Sequence, residues 1–196
     1  MAATALAVTG QLTQLSGTAG CVSETSTGGT CADGKALDFA AGLAISPDGK
    51  SVYVASLNSD AVAAFQRDTT TGALTQLAGT AGCISETGSG GACVDGKALS
   101  GPISVAVSAD GASVYVGSTN SDAVAVFSRD ATGVGGLTQL AGTAGCVSET
   151  GTGGACADGK ALDYPRTVAV SPDGKNAYVT SGLSDAVAVF GRQTPP

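Results

Sequence analysis

One unit of about 62 residues occurs three times along the chain, and this repetition limits the folds open to it. The motif Leu-Thr-Gln-Leu starts at Leu12, Leu74 and Leu137, at offsets of 62 and then 63 residues. A chain with such a period folds as a row of equal units, each of which buries its apolar face against its neighbours. Near-identical units are typical of recent duplication or of deliberate design. The single repeat domain, 1–196, divides into units at about 12–73, 74–136 and 137–196.

Each unit has the residue pattern of short antiparallel strands. In the third unit, Thr167-Val-Ala-Val and Ala177-Tyr-Val-Thr flank Pro172-Asp-Gly-Lys, where Pro and Gly supply the dihedral angles of a tight turn. Asp185-Ala-Val-Ala-Val-Phe alternates like a third strand, and Leu-Thr-Gln-Leu provides a fourth. Four short antiparallel strands per unit predict an all-β protein, with three blades of a β-propeller in the chain.

Three segments of the middle unit resemble the YVTN-type, lactonase-like β-propeller repeats. They are Val105-Ala-Val-Ser-Ala-Asp-Gly, Val114-Tyr-Val-Gly-Ser and Asp122-Ala-Val-Ala-Val-Phe, and each has counterparts in the other two units. The resemblance implies a propeller fold over nearly the whole chain apart from the cysteine-containing segments. It also implies that an active member would carry metal ligands or acid–base residues at the mouth of the central channel. Such folds host many functions, so the resemblance favours the fold more strongly than any activity.

Three blades are fewer than the four to eight that usually close a propeller ring. The sequence starts with a fourth-strand motif at Leu12 and ends with a third strand, Asp185 to Phe190. The spare N-terminal strand is therefore expected to complete the last blade of a neighbouring copy, because closed assemblies remove exposed sheet edges. We predict a homo-oligomer, with a six-bladed homodimer favoured and a nine-bladed homotrimer as the alternative. A fragment of a longer propeller is the other interpretation.

The six cysteines fall in two positions of each repeat. Six cysteines allow 15 pairings in principle, but equal units favour one local disulfide each. Zinc sites and redox motifs use shorter spacings than the nine residues between these cysteines, and the chain contains no histidine. Disulfides indicate an extracellular or periplasmic location, although the start, Met1 to Val8, lacks the basic residues of a signal peptide. The predicted pairs are Cys21–Cys31, Cys83–Cys93 and Cys146–Cys156.

The formal net charge of −7 argues against nucleic acid or an anionic membrane as a partner, because both require clustered Lys and Arg. No run of 18 apolar residues is present, so we expect no membrane-spanning segment. The partner expected from the sequence is therefore a second copy of the chain, while a small-molecule or protein ligand is left open.

Charged residues recur at equivalent positions of the cysteine-containing segments and would form rings in a propeller. A ring of carboxylates could hold Ca²⁺, although solvated turn charges are the simpler interpretation. Tyr164 and Arg166 form the one polar and aromatic pair that the other units lack. The candidate ligand-site residues are Glu24, Glu86, Glu149, Asp33, Asp95, Asp158, Tyr164 and Arg166.

The absence of histidine removes the usual general base near neutral pH, and near-identical units do not provide the differing environments that catalysis needs. We therefore predict a non-enzymatic scaffold or binding module with no catalytic residue and no resident cofactor. Two alternatives come from other classes. One is a lactonase-like hydrolase with a metal or acidic site in the central channel, and the other is a carbohydrate-binding propeller.

Overall fold

The computed structural model of the protein describes residues 10–193, and in them it shows an all-β, propeller-like fold without an α-helix. A short N-terminal pair, β1 (Val22–Ser23) and β2 (Ala32–Asp33), precedes the first blade. Blade 1 contains β3 (Ala40–Ile45), β4 (Ser51–Ser56), β5 (Ala61–Arg67), β6 (Leu74–Gln76), β7 (Cys83–Ser85) and β8 (Val94–Asp95). Blade 2 contains β9 (Pro102–Val107), β10 (Ser113–Ser118), β11 (Ala123–Arg129), β12 (Leu137–Gln139), β13 (Cys146–Ser148) and β14 (Ala157–Asp158). Blade 3 contains β15 (Pro165–Val170), β16 (Asn176–Ser181) and β17 (Ala186–Gly191).

Single turns of 3-10 helix connect the short outer strands. They lie at Gly17–Gly20, Ser26–Gly29, Gly79–Gly82, Gly88–Gly91, Gly142–Gly145 and Gly151–Gly154. The second turn of each unit contains left-handed residues, such as Ser89 (φ 47°) and Gly90 (φ 65°) in blade 1. The backbone there reverses direction instead of continuing a helix, because glycine adopts positive φ at little cost.

The hairpin between the first two strands of each blade forms as its sequence predicts. In blade 1, Asp48 accepts hydrogen bonds from the Ser46 hydroxyl and from the Lys50 backbone N–H, 3.1 Å away. Gly49 follows with φ of 69°, a conformation that most side chains disfavour. The Ser-Pro-Asp-Gly sequence therefore sets the turn locally, and the register of β3 against β4 follows from it.

The outer edge of each complete blade differs from the predicted single fourth strand. In blade 1, β5 pairs with β6 through Phe65 and Gln76, and further along with β7 through Ala63 and Cys83. The turn at Gly79–Gly82 divides the expected strand into these two short pieces. β8 then runs parallel to β7, so the edge gains an additional short strand. Blade 2 repeats this arrangement with β11 to β14.

The three predicted disulfides are present, and the described residues contain no free cysteine. Each disulfide closes the loop between an outer strand and its parallel companion, as between β7 and β8. The cysteine-containing segment stays at the outer edge of its blade, where β7 pairs with β5 and β8 pairs with β7. The crossing itself is made by the residues after it, 96–101 in the middle unit.

The blades lie side by side through their first strands, with β3 against β9 and β9 against β15. A Cβ atom on Gly42 of β3 would lie 2.5 Å from the backbone oxygen of Ile103 in β9, so glycine permits this close approach. The largest core cluster fills the space between blades 1 and 2 and includes Tyr53, Leu99 and Phe127, each fully buried. The sheets thus pack face to face around their inner strands.

No helix in residues 10–193 is long and apolar enough to span a membrane. The segment Met1 to Val8, which lacks the features of a signal peptide, lies outside the described residues, as does the end of the third predicted unit at 194–196.

Candidate functional site

An arginine joins each pair of neighbouring blades. Arg129, at the end of β11, donates hydrogen bonds to the Tyr53 hydroxyl (2.9 Å) and to the Asp48 carboxylate (2.8 Å) of blade 1. Its Nη1 atom also donates to the backbone oxygen of Gly111 in its own blade. The guanidinium is almost fully buried, so each of these charge-assisted bonds forms with little competition from water.

The same three residue types meet between blades 2 and 3. Arg192 donates to the Tyr115 hydroxyl (2.7 Å) and to the Asp110 carboxylate (3.2 Å). We call each set of arginine, tyrosine and aspartate an interblade clamp. In the sequence these arginines could pair with the aspartates of their own third strand or stay solvated. The structure pairs them with the hairpin aspartate of the preceding blade, a relation that the constant repeat offset could have suggested.

The clamp changes the proton affinities of its members. The hydrogen bond from Ser46, together with the bonds from Arg129, holds the pKa of the Asp48 carboxyl far below its usual range. Burial raises the pKa of the Tyr53 hydroxyl, so this group stays protonated and donates to the backbone oxygen of Gly135 at 2.6 Å. Asp48 is therefore an anion under all mild conditions, and the clamp is a stable ion pair.

Acid is expected to weaken the protein through Asp48. A carboxyl whose pKa is lower in the folded state contributes stability above its unfolded pKa of about 4, and this stability is lost as the pH falls toward the folded value. Urea midpoints measured at about pH 7 and about pH 3 should show a decrease for the natural chain that is clearly smaller for Asp48→Asn. Asp33→Asn, which changes an exposed carboxylate outside the clamps, should retain the full decrease. Equal decreases in all three proteins would contradict this role.

The start of β15 brings together a cation, an aromatic ring and a carboxylate. The Arg166 guanidinium lies 4.6 Å from the centre of the Tyr164 ring and is exposed to solvent. The Tyr164 backbone N–H donates to the Asp122 carboxylate of blade 2 at 2.9 Å. Because β15 is the inner strand of its blade, this group lies at the central end of the interface between blades 2 and 3. We take Asp122, Tyr164 and Arg166 as the candidate site.

The equivalent positions of the other blades lack this chemistry. Gly101 occupies the place of Tyr164 in blade 2, and its backbone N–H donates to Asp60 at 2.7 Å. A Cβ atom there would lie 2.7 Å from the Asn120 side chain, so a bulkier residue would displace that amide. Three equivalent serine hydroxyls end the second strands nearby and are buried without a hydrogen-bond partner within residues 10–193: Ser56, Ser118 and Ser181.

Each of the recurring glutamates accepts a hydrogen bond from a backbone N–H thirteen residues further along the chain. Glu86 accepts a hydrogen bond from the Leu99 backbone N–H, and Glu24 and Glu149 do the same for Leu37 and Leu162. Burial raises the pKa of the Glu86 carboxyl. These carboxylates and the nearby aspartates Asp33, Asp95 and Asp158 lie in the β1–β2 pair and at the outer edges of blades 1 and 2, so the structure does not bring them together around a channel. Within residues 10–193, no group of three His, Cys, Asp or Glu side chains is placed to hold a metal ion.

One repeat of the chain matches a family model described as lactonase, seven-bladed β-propeller, over residues 37–94. These residues extend from just before β3 into β8 and so cover blade 1 of the structure. The lactonase-like propeller resemblance expected from the sequence is therefore confirmed. No curated protein matches the chain.

Several solved structures share the fold. A putative 6-phosphogluconolactonase from Bacteroides uniformis is 21% identical with a TM-score of 0.56 over 79% of this chain and 37% of its own. A second, from Bacteroides fragilis, is 22% identical with a TM-score of 0.55 over 77% and 34%. The periplasmic gluconolactonase of Pseudomonas aeruginosa is 19% identical with a TM-score of 0.52 over 81% and 40%. The chain thus spans little more than a third of the length of these structures, and at such identities they show the fold alone.

The family match contradicts one expectation from the sequence. The absence of histidine and the equality of the repeats predicted a protein without enzymatic activity, and this prediction was wrong, because one repeat, residues 37–94, matches the model of the lactonase family. The repeats are not equal at the inner ends of the first strands, where Phe39, Gly101 and Tyr164 occupy equivalent positions. The alternative of a lactonase-like hydrolase is the better supported reading.

Proposed function

We propose that the chain contributes its blades to a lactonase-like propeller hydrolase that opens sugar lactones. The observation that carries the proposal is the match of residues 37–94 to the lactonase model. The gluconolactonases with the same fold suggest gluconolactone or its 6-phosphate as the substrate class. The exposed Arg166 beside the Tyr164 ring provides a cation and an aromatic surface at the central end of a blade interface.

Opening a lactone requires water to add to the carbonyl carbon, after which the ring C–O bond breaks and the released alkoxide takes a proton. Negative charge develops on the carbonyl oxygen in the transition state, and a fixed cation stabilises it. Arg166 is assigned this role. The Asp122 carboxylate already accepts the Tyr164 N–H and can orient the attacking water with its remaining lone pairs. The proposed product is the open-chain hydroxy acid.

Arg166 has a second use if the substrate is phosphorylated, since guanidinium groups bind phosphate by paired hydrogen bonds. The Tyr164 ring offers an apolar face to the sugar carbons. We also propose a periplasmic or extracellular location for this activity, supported by three disulfides, which persist in oxidising compartments. The periplasmic gluconolactonase of Pseudomonas aeruginosa, which has the same fold, is compatible with that location.

Arg166→Ala is expected to lower kcat/KM for lactone opening about 100-fold, the usual effect of removing one donor to a developing oxyanion. The measurement is acid release from gluconolactone and 6-phosphogluconolactone, corrected for spontaneous hydrolysis. Lys175→Ala is the matched control, because it removes an exposed cation from a hairpin position where blade 2 already has Ala112. Its kcat/KM should equal that of the natural chain.

The two substrates separate the two roles of Arg166. A loss in kcat for both lactones indicates charge stabilisation in the transition state, whereas a rise in KM for the phosphorylated lactone alone indicates phosphate binding. Absence of any acceleration by the natural chain would overturn the proposed function. Full activity in Arg166→Ala would move the site elsewhere.

A further inference from the structure

We propose that the open face of blade 3 binds the N-terminal face of a second copy of this chain, head to tail. This proposal concerns assembly and does not depend on the proposed hydrolase activity. Its basis is that three kinds of contact each occur twice in the structure, two of them at both internal blade interfaces, and that each kind has one further set of partners that is unused. The unused partners lie on the two opposite ends of the structure, so one end complements the other.

The clamp is the first of these contacts. Its aspartate and tyrosine come from one blade and its arginine from the next, as in Asp48, Tyr53 and Arg129. Blade 3 presents the equivalent Asp173 and Tyr178 on its open face, and Tyr178 is 39% exposed. At the other end of the structure, Arg67 keeps the bond to its own hairpin, donating to the backbone oxygen of Gly49 as Arg129 does to Gly111. Asp173 and Arg67 are opposite charges, so the two ends are electrostatically complementary.

The second contact uses the aspartate before each third strand. Asp60 accepts from the Gly101 backbone N–H, and Asp122 accepts from the Tyr164 backbone N–H. Asp185 of blade 3 is the equivalent acceptor that has no such donor beside it within residues 10–193. The backbone N–H of Phe39, just before blade 1, is the equivalent donor. Asp185 and Phe39 have the left-handed φ values of their counterparts, 47° and 53°, so both are already in the conformation that the bond requires.

The third contact links a lysine to the fourth strand beside it. The Lys97 backbone N–H donates to the Gln139 side chain, and the Lys97 ammonium donates to the backbone oxygens of Gly142 and Ala155. Lys35 makes the same set of bonds with Gln76, Gly79 and Ala92. For Lys160, the corresponding acceptors are Gln14, Gly17 and Thr30 of a second copy. The Gln14 side chain already has the orientation that this contact requires, because its amide donates to the backbone oxygen of Gly20 as the Gln76 amide does to that of Gly82.

The exposed apolar side chains on the two open faces support the same contact as the polar groups. Val62 and Val124, which face the following blade, are 0% and 5% exposed, whereas the equivalent Val187 is 58% exposed. Val105 and Val168, which face the preceding blade, are 7% and 5% exposed, whereas the equivalent Leu43 is 59% exposed. Burying such side chains supplies most of the free energy of association.

A groove of about 320 Å³ lies beside β17, at the position where a fourth strand would pair with it. Val126, Val179 and Phe190 are among the residues that line it, between blades 2 and 3. In blade 2, the corresponding leucine at the start of the fourth strand, Leu137, packs against the core between blades 1 and 2. Leu12 is its counterpart in the N-terminal segment and is 96% exposed. Paired as β6 pairs with β5, Leu12 of a second copy would lie opposite Arg192 and would fill the groove.

Two copies joined in this way at both ends form a closed ring of six blades related by a two-fold axis. Each copy then donates residues 12–39 to blade 3 of its partner and receives the same segment in return. In this ring each blade has a neighbour on both faces, and β17 gains a fourth-strand partner, which removes its exposed edge.

The mass in solution tests the assembly directly. Light scattering is expected to give twice the 18.6 kDa of the chain, and a monomer would overturn the proposal. Val187→Asp should convert the protein to monomers, since it places a charge in the apolar contact. Arg67→Ala should raise the dimer dissociation constant about 30-fold or more, the usual loss for truncating one partner of a buried charge pair. Lys50→Ala should leave it unchanged, because blade 2 has alanine at this position of its own interface, Ala112.

Cross-linking tests the direction of the contact. Thr13 and Gly191 are expected to be paired across the interface, as Thr75 is with Gln66, and nothing lies near a side chain added at Gly191. Thr13→Cys mixed with Gly191→Cys should give a bismaleimide-linked dimer, whereas either variant alone should give none. Linked dimers of Thr13→Cys alone would overturn the head-to-tail arrangement. A mass of three chains would keep this contact but overturn closure by two copies. None of these readouts depends on lactone hydrolysis, so failure of one proposal is distinguishable from failure of the other.

Discussion

Phe127→Ala is expected to lower the free energy of unfolding by about 4 kcal/mol. Phe127 lies in β11, is fully buried, and contributes the largest apolar side chain of blade 2 to the core between blades 1 and 2. Truncation removes the favourable transfer of the ring from water and leaves a cavity that rigid sheets on both sides cannot close. The loss should appear as a lower urea midpoint with an unchanged slope, measured at fixed protein concentration.

Phe127→Leu is the matched control, because it keeps most of the apolar volume and should cost about 1.5 kcal/mol or less. Phe65 occupies the equivalent position of blade 1 and is 2% exposed, so Phe65→Ala should be costly as well. A loss below about 1 kcal/mol for Phe127→Ala would show that the two blades are not packed as described.

Arg129→Ala is expected to cost about 3 kcal/mol, at the lower end of the range for breaking a buried ion pair. The substitution removes the bonds to Asp48, Tyr53 and Gly111 at once and leaves the Asp48 carboxylate without its cation. The cost stays at the lower end because the Asp48 side chain is 31% exposed, so water partly replaces the arginine. Thermal or urea unfolding measures the loss.

Arg129→Lys tests whether the stability depends on the positive charge alone or also on the planar geometry of the guanidinium group. Lysine keeps the positive charge but cannot bind the carboxylate, the hydroxyl and the backbone oxygen in the same plane, so it should restore less than half of the loss. Full recovery with lysine would mean that the clamp acts as a simple charge contact. Lys50→Ala, on the exposed hairpin beside the clamp, should leave the stability of the natural chain within about 0.5 kcal/mol.

The candidate site illustrates how nearly equal repeats can acquire one distinct position. Phe39, Gly101 and Tyr164 share the same left-handed backbone, with φ of 53°, 66° and 60°. The fold thus fixes the same backbone at the inner end of every blade, and each of the three units places a different side chain on it. Only the third unit places a tyrosine with an arginine two residues later, and so one blade interface differs from the other without any change in the scaffold.

Much of each blade was predictable because its signals are local. The Ser-Pro-Asp-Gly turn fixes a hairpin through bonds within five residues, as between Ser46 and Ser51. The local disulfide pairs followed from the requirement that equal units pair in equal ways. The broken fourth strand was missed because the turn at Gly79–Gly82 has no strong sequence signature and depends on bonds from the Gln76 amide and the Lys35 ammonium.

The sequence by itself therefore determined the repeat, the first three strands of each blade, their hairpin turns and the disulfides, since these depend on contacts between residues that are close along the chain. Only the tertiary structure decided which blade supplies the bonding partner of each charged group. Arg129 reaches Asp48 across 81 residues, and Asp122 reaches Tyr164 across 42. Repeats of equal sequence make every such pairing equally plausible within a blade or between blades. The choice between them is made by packing one sheet face on the next, which brings the end of a third strand beside the hairpin of the preceding blade.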